Sequence, residues 1–275
     1  MTFLTSETFQ KFSEFIYRKS GIFLEEDKHF SKLNKVLQDE AISNGFDNFR
    51  KYFFKLRFED RDGQIFQHLM NKITVNETYF FRENDQFEVL VNDILPFLDR
   101  IRPKDEPIRI LSAPSSTGEE PYSMVIHILE ESNLIEHRDI EIIGIDIDTT
   151  VIEKAQKALY SDRSVHAIPK HIYPKYFIKK GFYNQLNEDY KEAVDFRVVN
   201  VFDKNQVRNL GKFDVIFSRN MLIYFDDASR KEVAMSFYTM LNPQGFVFLG
   251  HAEYMSRIVS VFKAKKVNNT LVYQK

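Results

Sequence analysis

The sequence predicts an α/β protein with a mainly parallel, nucleotide-binding type of sheet. An all-helical segment precedes the sheet, and a small antiparallel insertion interrupts it. Residues 108–129 read as strand, tight loop and helix, and residues 141–148 read as a second buried strand that ends in carboxylates. In residues 1–72 apolar residues recur at helical spacing, with few glycines between them. We therefore divide the 275-residue chain into a helical N-terminal domain, 1–72, and an α/β domain, 73–275.

Composition limits the class of protein. The chain has no cysteine, which excludes disulfides and thiolate metal sites, and its seven histidines lack metal-ligand spacing, so we expect no metal. A net charge of −2 gives no support to nucleic-acid binding. We expect no signal peptide, and no apolar run approaches the length of a membrane span. We expect a cytoplasmic monomer without membrane insertion.

The second predicted helix of the N-terminal domain carries three lysines on one face. Lys28, Lys32 and Lys35 lie four and three residues apart, which is the spacing of neighbours on a helix. Clustered cations attract anionic partners over long range. This face is therefore either a docking surface for an acidic partner or a charged face in solvent.

A linker at 76–83, NETYFFRE, separates the helical domain from the next helix. Asp85 and Glu88 have the spacing of a capping box, which predicts that Asp85 caps that helix. A linker in this place can fold over a ligand bound to the sheet.

The loop that follows the first strand is not a dinucleotide fingerprint. It has one glycine, Gly118, where that motif needs three, and no lysine follows as in a P-loop. Pro121 predicts the first turn of the next helix. Glu119 and Glu120 would repel a pyrophosphate if they faced it, although Glu119 can instead be exposed. The loop favours a nucleoside without phosphates, such as S-adenosylmethionine (SAM), and an ordinary strand–helix turn is the alternative.

The second strand places carboxylates at its end. An acidic side chain at the tip of the second strand is where such folds hold the hydroxyls of a ribose. We assign this role to Asp146. Asp148 or Thr149 is predicted to cap the following helix.

The remainder of the chain completes the sheet. Aromatic residues around Gly181 predict a β-hairpin insertion at about 165–195. Residues 194–202 alternate as a strand, and 213–217 form a continuous apolar strand of the buried parallel kind. Asn-Pro-Gln-Gly at 242–245 predicts a turn. The last two strands are predicted to pair as antiparallel neighbours.

Four motifs together resemble one family. STGEEPYS at 116–123, NETYFFRE at 76–83, FDVIFSRNMLIYFD at 213–226 and GHAEY at 250–254 occur in the order found in CheR chemotaxis receptor methyltransferases. The resemblance covers nearly the whole chain. Pro114 and Ser115 depart from it, because the family often has Gly-Cys there. Pro114 also removes a backbone N–H.

The resemblance implies a SAM-dependent methyltransferase with a Rossmann-like sheet, an all-helical N-terminal domain and a small antiparallel β-subdomain insertion. The implied reaction transfers a methyl group from SAM to glutamate carboxylates of chemotaxis receptors, giving methyl esters and S-adenosylhomocysteine. The implied partner is the cytoplasmic helical domain of membrane chemoreceptors. In some members of the family the insertion also grips a peptide at the receptor's tail.

The same resemblance assigns the site residues. The catalytic pair is Arg82 and Tyr224. The cofactor-binding residues are Asn76, Thr78, Arg82, Glu120, Asp146, Asn200, Val201, Arg219 and Asn220.

The chemistry agrees with an anionic acceptor. A glutamate has a reference pKa of about 4.3 and is ionised at neutral pH, so it needs no general base. An Arg such as Arg82 can orient a carboxylate by paired hydrogen bonds, and the Tyr224 hydroxyl can donate another. For these residues the alternatives are a surface ion pair and core packing. His251, within GHAEY, is predicted to be structural.

Two other functions stay open. The protein could methylate a small-molecule acid, although the extra helical domain and the hairpin argue against this. It could also be a non-catalytic module that binds SAM or a receptor. The presence of Arg82, Tyr224, Asp146 and Glu120 argues against that alternative.

Overall fold

The computed structural model describes residues 3–275; residues 1 and 2, with which the predicted helical domain begins, lie outside it. The helices before the sheet are α1 (Ser6–Ser20), α2 (Glu26–Ser43), α3 (Phe49–Phe54, continued by a π-helical turn at Lys55–Glu59), α4 (Gln64–Ile73), α5 (Asn84–Val89, continued by a π-helical turn at Leu90–Ile94) and α6 (Leu95–Ile101). The prediction that the N-terminal part is helical is confirmed. Among residues 3–275, no helix has the length and apolar character needed to cross a membrane.

Strands and helices then alternate. The strands are β1 (Ile108–Ser112), β2 (Ile140–Asp146), β3 (Leu159–Tyr160), β4 (Phe177–Lys180), β5 (Tyr183–Leu186), β6 (Val194–Val198), β7 (Phe213–Ser218), β8 (Leu241–Leu249), β9 (Lys263–Val267) and β10 (Thr270–Gln274). The helices between them are α7 (Glu119–Glu131), α8 (Thr149–Lys157), α9 (Asp162–Val165), α10 (Tyr173–Tyr176), α11 (Glu188–Lys191), α12 (Lys204–Asn209) and α13 (Asp227–Met240). Short 3₁₀ turns lie at Leu134–Glu136, Leu222–Tyr224 and Met255–Arg257.

The main sheet has the strand order β6-β2-β1-β7-β8-β10-β9. The strands from β6 to β8 in this order run parallel, and β10 lies antiparallel between β8 and β9. The predicted α/β sheet and the antiparallel closing pair are therefore confirmed. The chain order reverses between β1 and β7. Ligands of open α/β sheets bind at such a switch point, outside the carboxyl ends of the strands.

Both faces of the central parallel strands β1 and β7 are buried, as their continuous apolar runs predict, whereas the edge strand β6 has exposed residues. Every residue of β7 is buried. On one face, Phe217 stacks on Phe87 of α5 and on Phe248 of β8, with ring centroids 5.9 and 4.3 Å apart. On the other face, Ile216 shares a core with Phe237 of α13. This packing holds in place the carboxyl end of β7, which is followed by polar residues of the candidate site.

Residues 3–73, which we call the helical unit, have a core of their own and contact the carboxyl edge of the sheet on two sides. Near the end of α4, the Asn71 side-chain amide donates to the Thr149 hydroxyl at 2.7 Å. After α1, the Phe23 N–H donates to the Tyr224 carbonyl oxygen at 2.9 Å. The helical unit therefore forms a wall opposite the strand ends.

The predicted antiparallel insertion is also confirmed. β3, β5 and β4 form a separate small sheet, and β4 and β5 are joined by a tight turn at Gly181 and Phe182. The insertion begins before residue 165, because β3 is already one of its strands. Phe182 is 91% exposed at the tip of the turn.

Two local predictions are wrong. Asp85 does not cap α5: the helix begins at Asn84, the capping position is Glu83 with a left-handed φ of 54°, and the Asp85 carboxylate accepts a hydrogen bond from the Thr270 hydroxyl. Residues 242–245 do not form a separate turn, since they lie inside β8 at a register irregularity opposite β7. At Asp85 a long-range partner prevails over the local signal. Residues 242–245 bulge away from β7, with Gln244 at a left-handed φ of 62°, while strand pairing continues on both sides of them.

Candidate functional site

A cleft opens where the carboxyl ends of the parallel strands face the helical unit. It encloses about 1070 Å³ of empty space, including its open mouth. Pro114, Ile147, Val199 and Met221, which follow β1, β2, β6 and β7 respectively, line one wall. The connection between α1 and α2 and the segment after α4 line the other. The cleft thus lies at the switch point of the sheet, where the strand order predicts a ligand site.

Asp146 is the buried carboxylate of this cleft. It ends β2 and is only 5% exposed. Its two oxygens accept the backbone N–H groups of Asp148 and Ser116, each at 3.0 Å. Burial raises the pKa of Asp146 to about 6; these N–H groups act in the opposite direction, and the charge of Asp148 adds to the rise. Each oxygen keeps a further lone pair that can accept from a ligand hydroxyl.

Asp148 connects the strand end to the linker. One of its oxygens caps α8 by accepting the N–H groups of Thr150 and Val151, at 2.8 and 3.3 Å, so the predicted cap is confirmed at Asp148. The other oxygen accepts from the Thr74 hydroxyl and the Asn76 amide, both at 2.9 Å. Asp148 therefore holds Asn76 at the cleft.

The loop after β1 approaches its neighbours closely. Gly118 has a φ of 93°, and a Cβ there would lie 3.0 Å from the Cβ of Ala155. A glycine is required on both grounds. The hydroxyl oxygens of Ser115 and Ser116 are buried and have no hydrogen-bond partner among the described residues. Polar atoms of this kind are available to a ligand that enters the loop.

The two adjacent glutamates point to different partners. Glu119, which could have been exposed, is buried: its carboxylate accepts from the Thr117 hydroxyl at 2.5 Å, and burial raises its pKa. Glu120 accepts from the Ser112 hydroxyl at 2.7 Å and from the Arg219 guanidinium at 2.5 Å. Glu120 is thus already paired with another predicted cofactor residue.

Arg219 joins Glu120 to Arg82. Its guanidinium also donates to the backbone carbonyl of Arg82 at 2.7 Å and lies over the Phe87 ring. The Arg82 guanidinium itself donates to the Glu77 carbonyl at 3.1 Å. Since Arg has five N–H donors, Arg82 keeps most of them available.

Tyr224 lines the cleft at the end of a 3₁₀ turn. Burial raises the pKa of Tyr224, the positive charge of Arg82 opposes this rise, and the charges of Glu77 and Glu253 add to it. The hydroxyl stays protonated near neutral pH and can donate a hydrogen bond. The influence of Arg82 also means that the two predicted catalytic side chains lie within electrostatic range of each other.

The structure brings most of the predicted site residues to one place. The predicted residues that line the cleft are Asn76, Asp146, Asn200, Val201, Asn220 and Tyr224. In the part of the chain that the structure describes, this lining does not include Thr78, Arg82, Glu120 and Arg219. The last three form the hydrogen-bonded cluster described above. Thr78 is half-buried in the linker.

Some residues at the cleft or next to it were not among the predicted catalytic and cofactor-binding residues. His29 and Lys32 reach it from α2. Glu253 is buried and contacts the loop that carries Tyr224, whereas the side chain of His251, which drew attention in the same motif, is 61% exposed. The lysine spacing indicates a surface on α2, and the GHAEY motif indicates a site near residues 250–254. Neither pattern indicates which side chain of its segment lies closest to the cleft.

These residues fit a nucleoside with a charged tail. Asp146 can accept from ribose hydroxyls, and the apolar wall suits an adenine base. The Glu120–Arg219 pair and the unpartnered Ser115 and Ser116 hydroxyls lie outside the described lining of the cleft, and they provide both charges and neutral donors for an amino acid end that reaches beyond it. The donor set therefore fits SAM.

Comparison with known proteins gives a family match. Residues 76–271 match the family described as CheR methyltransferase, SAM binding domain. The match begins at Asn76 and includes the whole sheet up to the first residues of β10.

Curated relatives match nearly the full chain. The Chemotaxis protein methyltransferase 2 of Vibrio cholerae serotype O1 is 44% identical over 274 residues, covering 99% of this chain and 94% of the relative. The Chemotaxis protein methyltransferase of Escherichia coli K12 is 31% identical, over 93% of this chain and 87% of the relative. That of Salmonella typhimurium is 30% identical, over 95% and 88%.

Proposed function

We propose that this chain, which belongs to the CheR methyltransferase family, transfers methyl groups from SAM to glutamate carboxylates of chemotaxis receptors. It is a SAM-dependent methyltransferase, and SAM is its cofactor. The products are receptor glutamate methyl esters and S-adenosylhomocysteine, and the methylation serves sensory adaptation. One observation supports the proposal: a single cleft is lined by the buried carboxylate residue Asp146, by Tyr224 and by Lys32 of the α2 lysine face.

The cofactor site would use the residues at the strand ends. Asp146 would accept hydrogen bonds from the ribose hydroxyls, and Asn76, Asn200 and Asn220 would provide polar contacts along the cleft. Glu120 and Arg219 would bind the charged amino acid end, and Thr78 and Val201 would complete the site. When bound, SAM supplies a methyl group that its sulfonium has already activated.

SAM affinity is expected to depend on pH through Asp146. Ribose hydroxyls donate to the ionised carboxylate, whereas the free protein holds it protonated below its pKa of about 6. Affinity should therefore be constant above that pH and should fall as the pH drops through it, approaching about tenfold per pH unit. Calorimetry across this range measures the effect, together with the proton released on binding. The variant Asp146→Asn should bind weakly at every pH, and an unchanged pH dependence in this variant would assign the effect to another group.

The acceptor site would use Arg82 and Tyr224. The guanidinium of Arg82 would hold the glutamate carboxylate by paired hydrogen bonds, and the Tyr224 hydroxyl would donate a further one. The acceptor is ionised before it binds, so neither residue has to remove a proton. Their task is to align one carboxylate oxygen with the methyl group and to exclude water.

Receptor contact and methyl transfer are assigned to the two predicted domains separately. We propose that the helical domain, 1–72, contacts the cytoplasmic helical bundle of the receptor, while the domain 73–275 binds SAM and carries out the transfer. We further propose that the protein acts as a monomer in the cytoplasm.

Reversing the charges of two lysines on α2 should raise KM for the receptor. Lys28 and Lys35 are exposed, and Lys32 lines the cleft. The double variant Lys28→Glu/Lys35→Glu, which leaves Lys32 in place, should raise KM for the receptor roughly tenfold at low salt without changing SAM affinity. The difference should shrink with added salt, because exposed charges are screened beyond about 8 Å at physiological ionic strength.

A matched control changes the same net charge elsewhere. Lys263 and Lys265 are exposed on β9, at the far edge of the sheet. Lys263→Glu/Lys265→Glu should leave KM for the receptor unchanged. If both double variants behave alike, α2 has no docking role and its lysines form an ordinary charged face.

The function as a whole is tested by incubation with labelled SAM and receptor-enriched membranes. Base-labile methyl groups should appear on receptor glutamates. Transfer to a small-molecule acid but not to receptors would support the first alternative function. SAM binding without transfer to any acceptor would support a non-catalytic module.

A further inference from the structure

Glu253 is a buried carboxylate outside the predicted set of site residues. It follows β8 in the GHAEY segment and is 7% exposed. One oxygen accepts the N–H of Leu222 at 2.8 Å. The other accepts the N–H groups of Asn220 and Gly250, at 2.8 and 3.0 Å. One side chain thus ties the exit of β8 to the exit of β7.

The loop that Glu253 holds is the one that carries two proposed site residues. Asn220 and Tyr224 both lie in it and both line the cleft. Asn220 has a left-handed φ of 57°, a conformation that asparagine adopts more readily than most L residues but that is still uncommon. Its N–H donates to the Glu253 carboxylate, so this hydrogen bond helps to hold the loop in one of the conformations open to Asn220.

The fit around the carboxylate is tight. A Cβ at Gly250 would lie 2.9 Å from a Glu253 carboxylate oxygen and 3.1 Å from the Asn220 side-chain nitrogen. Burial raises the pKa of Glu253, and the N–H groups of Asn220, Gly250 and Leu222 oppose the rise. The loop and the carboxylate therefore stabilise each other: the loop satisfies a buried charge, and the charge orders the loop.

We propose that Glu253 is a positioning residue for methyl transfer, which shapes the loop so that Asn220 faces the cofactor and Tyr224 faces the acceptor. The proposal rests on the function proposed above. Glu253 itself does not line the cleft in the described part of the chain, so it acts through the two residues whose loop it holds.

The variant Glu253→Gln tests this with almost no change in volume. Glutamine replaces one acceptor oxygen by an N–H₂ group, which faces a backbone N–H and cannot accept from it. We expect kcat to fall about 10- to 100-fold and SAM affinity to fall several-fold, while KM for the receptor stays unchanged. Hydrogen exchange at the amides of Asn220 and Leu222 should become faster.

Asp214→Asn is the matched control. Asp214 is also a buried carboxylate that accepts a backbone N–H, that of Arg109 at 3.0 Å, but it lies near the amino end of β7, away from the cleft. This variant should lose thermal stability and keep kcat. A parallel loss of kcat in both variants would reduce Glu253 to a purely structural role and overturn the proposal.

A double variant separates positioning from stability. If Glu253 acts on kcat through the Tyr224 hydroxyl, Glu253→Gln combined with Tyr224→Phe should lose little more kcat than the more severe single variant. Fully additive losses, or unchanged kcat and SAM affinity in Glu253→Gln, would overturn the proposal. If the wild-type protein fails to methylate receptors, the proposed function is wrong. SAM affinity and amide exchange in Glu253→Gln then still decide whether Glu253 orders the loop at the cofactor cleft.

Discussion

Replacing Asp146 by alanine is expected to weaken SAM binding by about a hundredfold or more. Hydrogen bonds to a charged group contribute roughly 1.5–3 kcal/mol each, and about 1.4 kcal/mol is a tenfold change in affinity. The variant loses the proposed ribose acceptor. It also leaves the N–H groups of Ser116 and Asp148 without the carboxylate that accepts from them, so the loop after β1 loses its shape. Calorimetry with SAM and with S-adenosylhomocysteine measures both losses.

The control for this variant has to separate binding from folding. Asp214→Ala removes another buried carboxylate that accepts a backbone N–H. Asp214 lies near the amino end of β7, at the opposite end of the parallel strands from the cleft. It should lower the melting temperature and leave SAM affinity intact. Asp146→Ala with wild-type affinity for both ligands would remove Asp146 from the cofactor site and would leave the cleft without its proposed ribose contact.

The position of Asp146 could be predicted because it depends on local pattern. An apolar run of strand length ends at the carboxylate, and the carboxyl ends of parallel strands meet at one edge of the sheet. The contact between Asp148 and Asn76 could not be predicted in this way. It joins residues 72 positions apart through side chains, and only the packing of the helical unit against the sheet brings them together.

Adjacent carboxylates show a second limit of the sequence. Neighbours on a helix point about 100° apart, so the sequence leaves open whether Glu119 is exposed while Glu120 faces the site. The structure buries both, since the insertion covers one side of α7 and the loop after β7 covers the other. Thr117 and Tyr160 lie near Glu119, and Arg219 binds Glu120. The insertion's contact with α7 has no signature in the helix itself.

Glu253 illustrates the same limit at the site. The motif GHAEY could be recognised, but histidine draws attention as a chemical group, and the glutamate looks like an ordinary surface residue. Its role depends on three backbone N–H groups that two different loops present. Almost every residue has a backbone N–H group, so the sequence does not indicate which of these groups will bind a buried carboxylate.

Replacing Arg82 by alanine is expected to lower kcat by on the order of 10²–10³-fold, because a misplacement of about 1 Å can alone cost 10²-fold. During transfer the negative carboxylate and the positive sulfonium neutralise each other. An ion pair with Arg82 therefore stabilises the ground state at least as well as the transition state, and the contribution of Arg82 has to be orientation. It follows that Arg82→Lys, which keeps the charge and loses the planar pair of donors, should restore little activity.

Tyr224→Phe should spare SAM binding and lower kcat about tenfold, by removing one hydrogen bond from a neutral hydroxyl to the ionised acceptor. Burial keeps the pKa of Tyr224 above its ordinary value, so the hydroxyl is a donor throughout the neutral range and cannot serve as a base. The pH–rate profile at saturating SAM should accordingly show no limb near neutrality from a general base. Tyr183→Phe, at an exposed tyrosine of the insertion, is the control and should behave as wild type. Full receptor activity in Tyr224→Phe would make Tyr224 a packing residue, and substantial rescue by Arg82→Lys would show that charge, rather than orientation, is what Arg82 contributes.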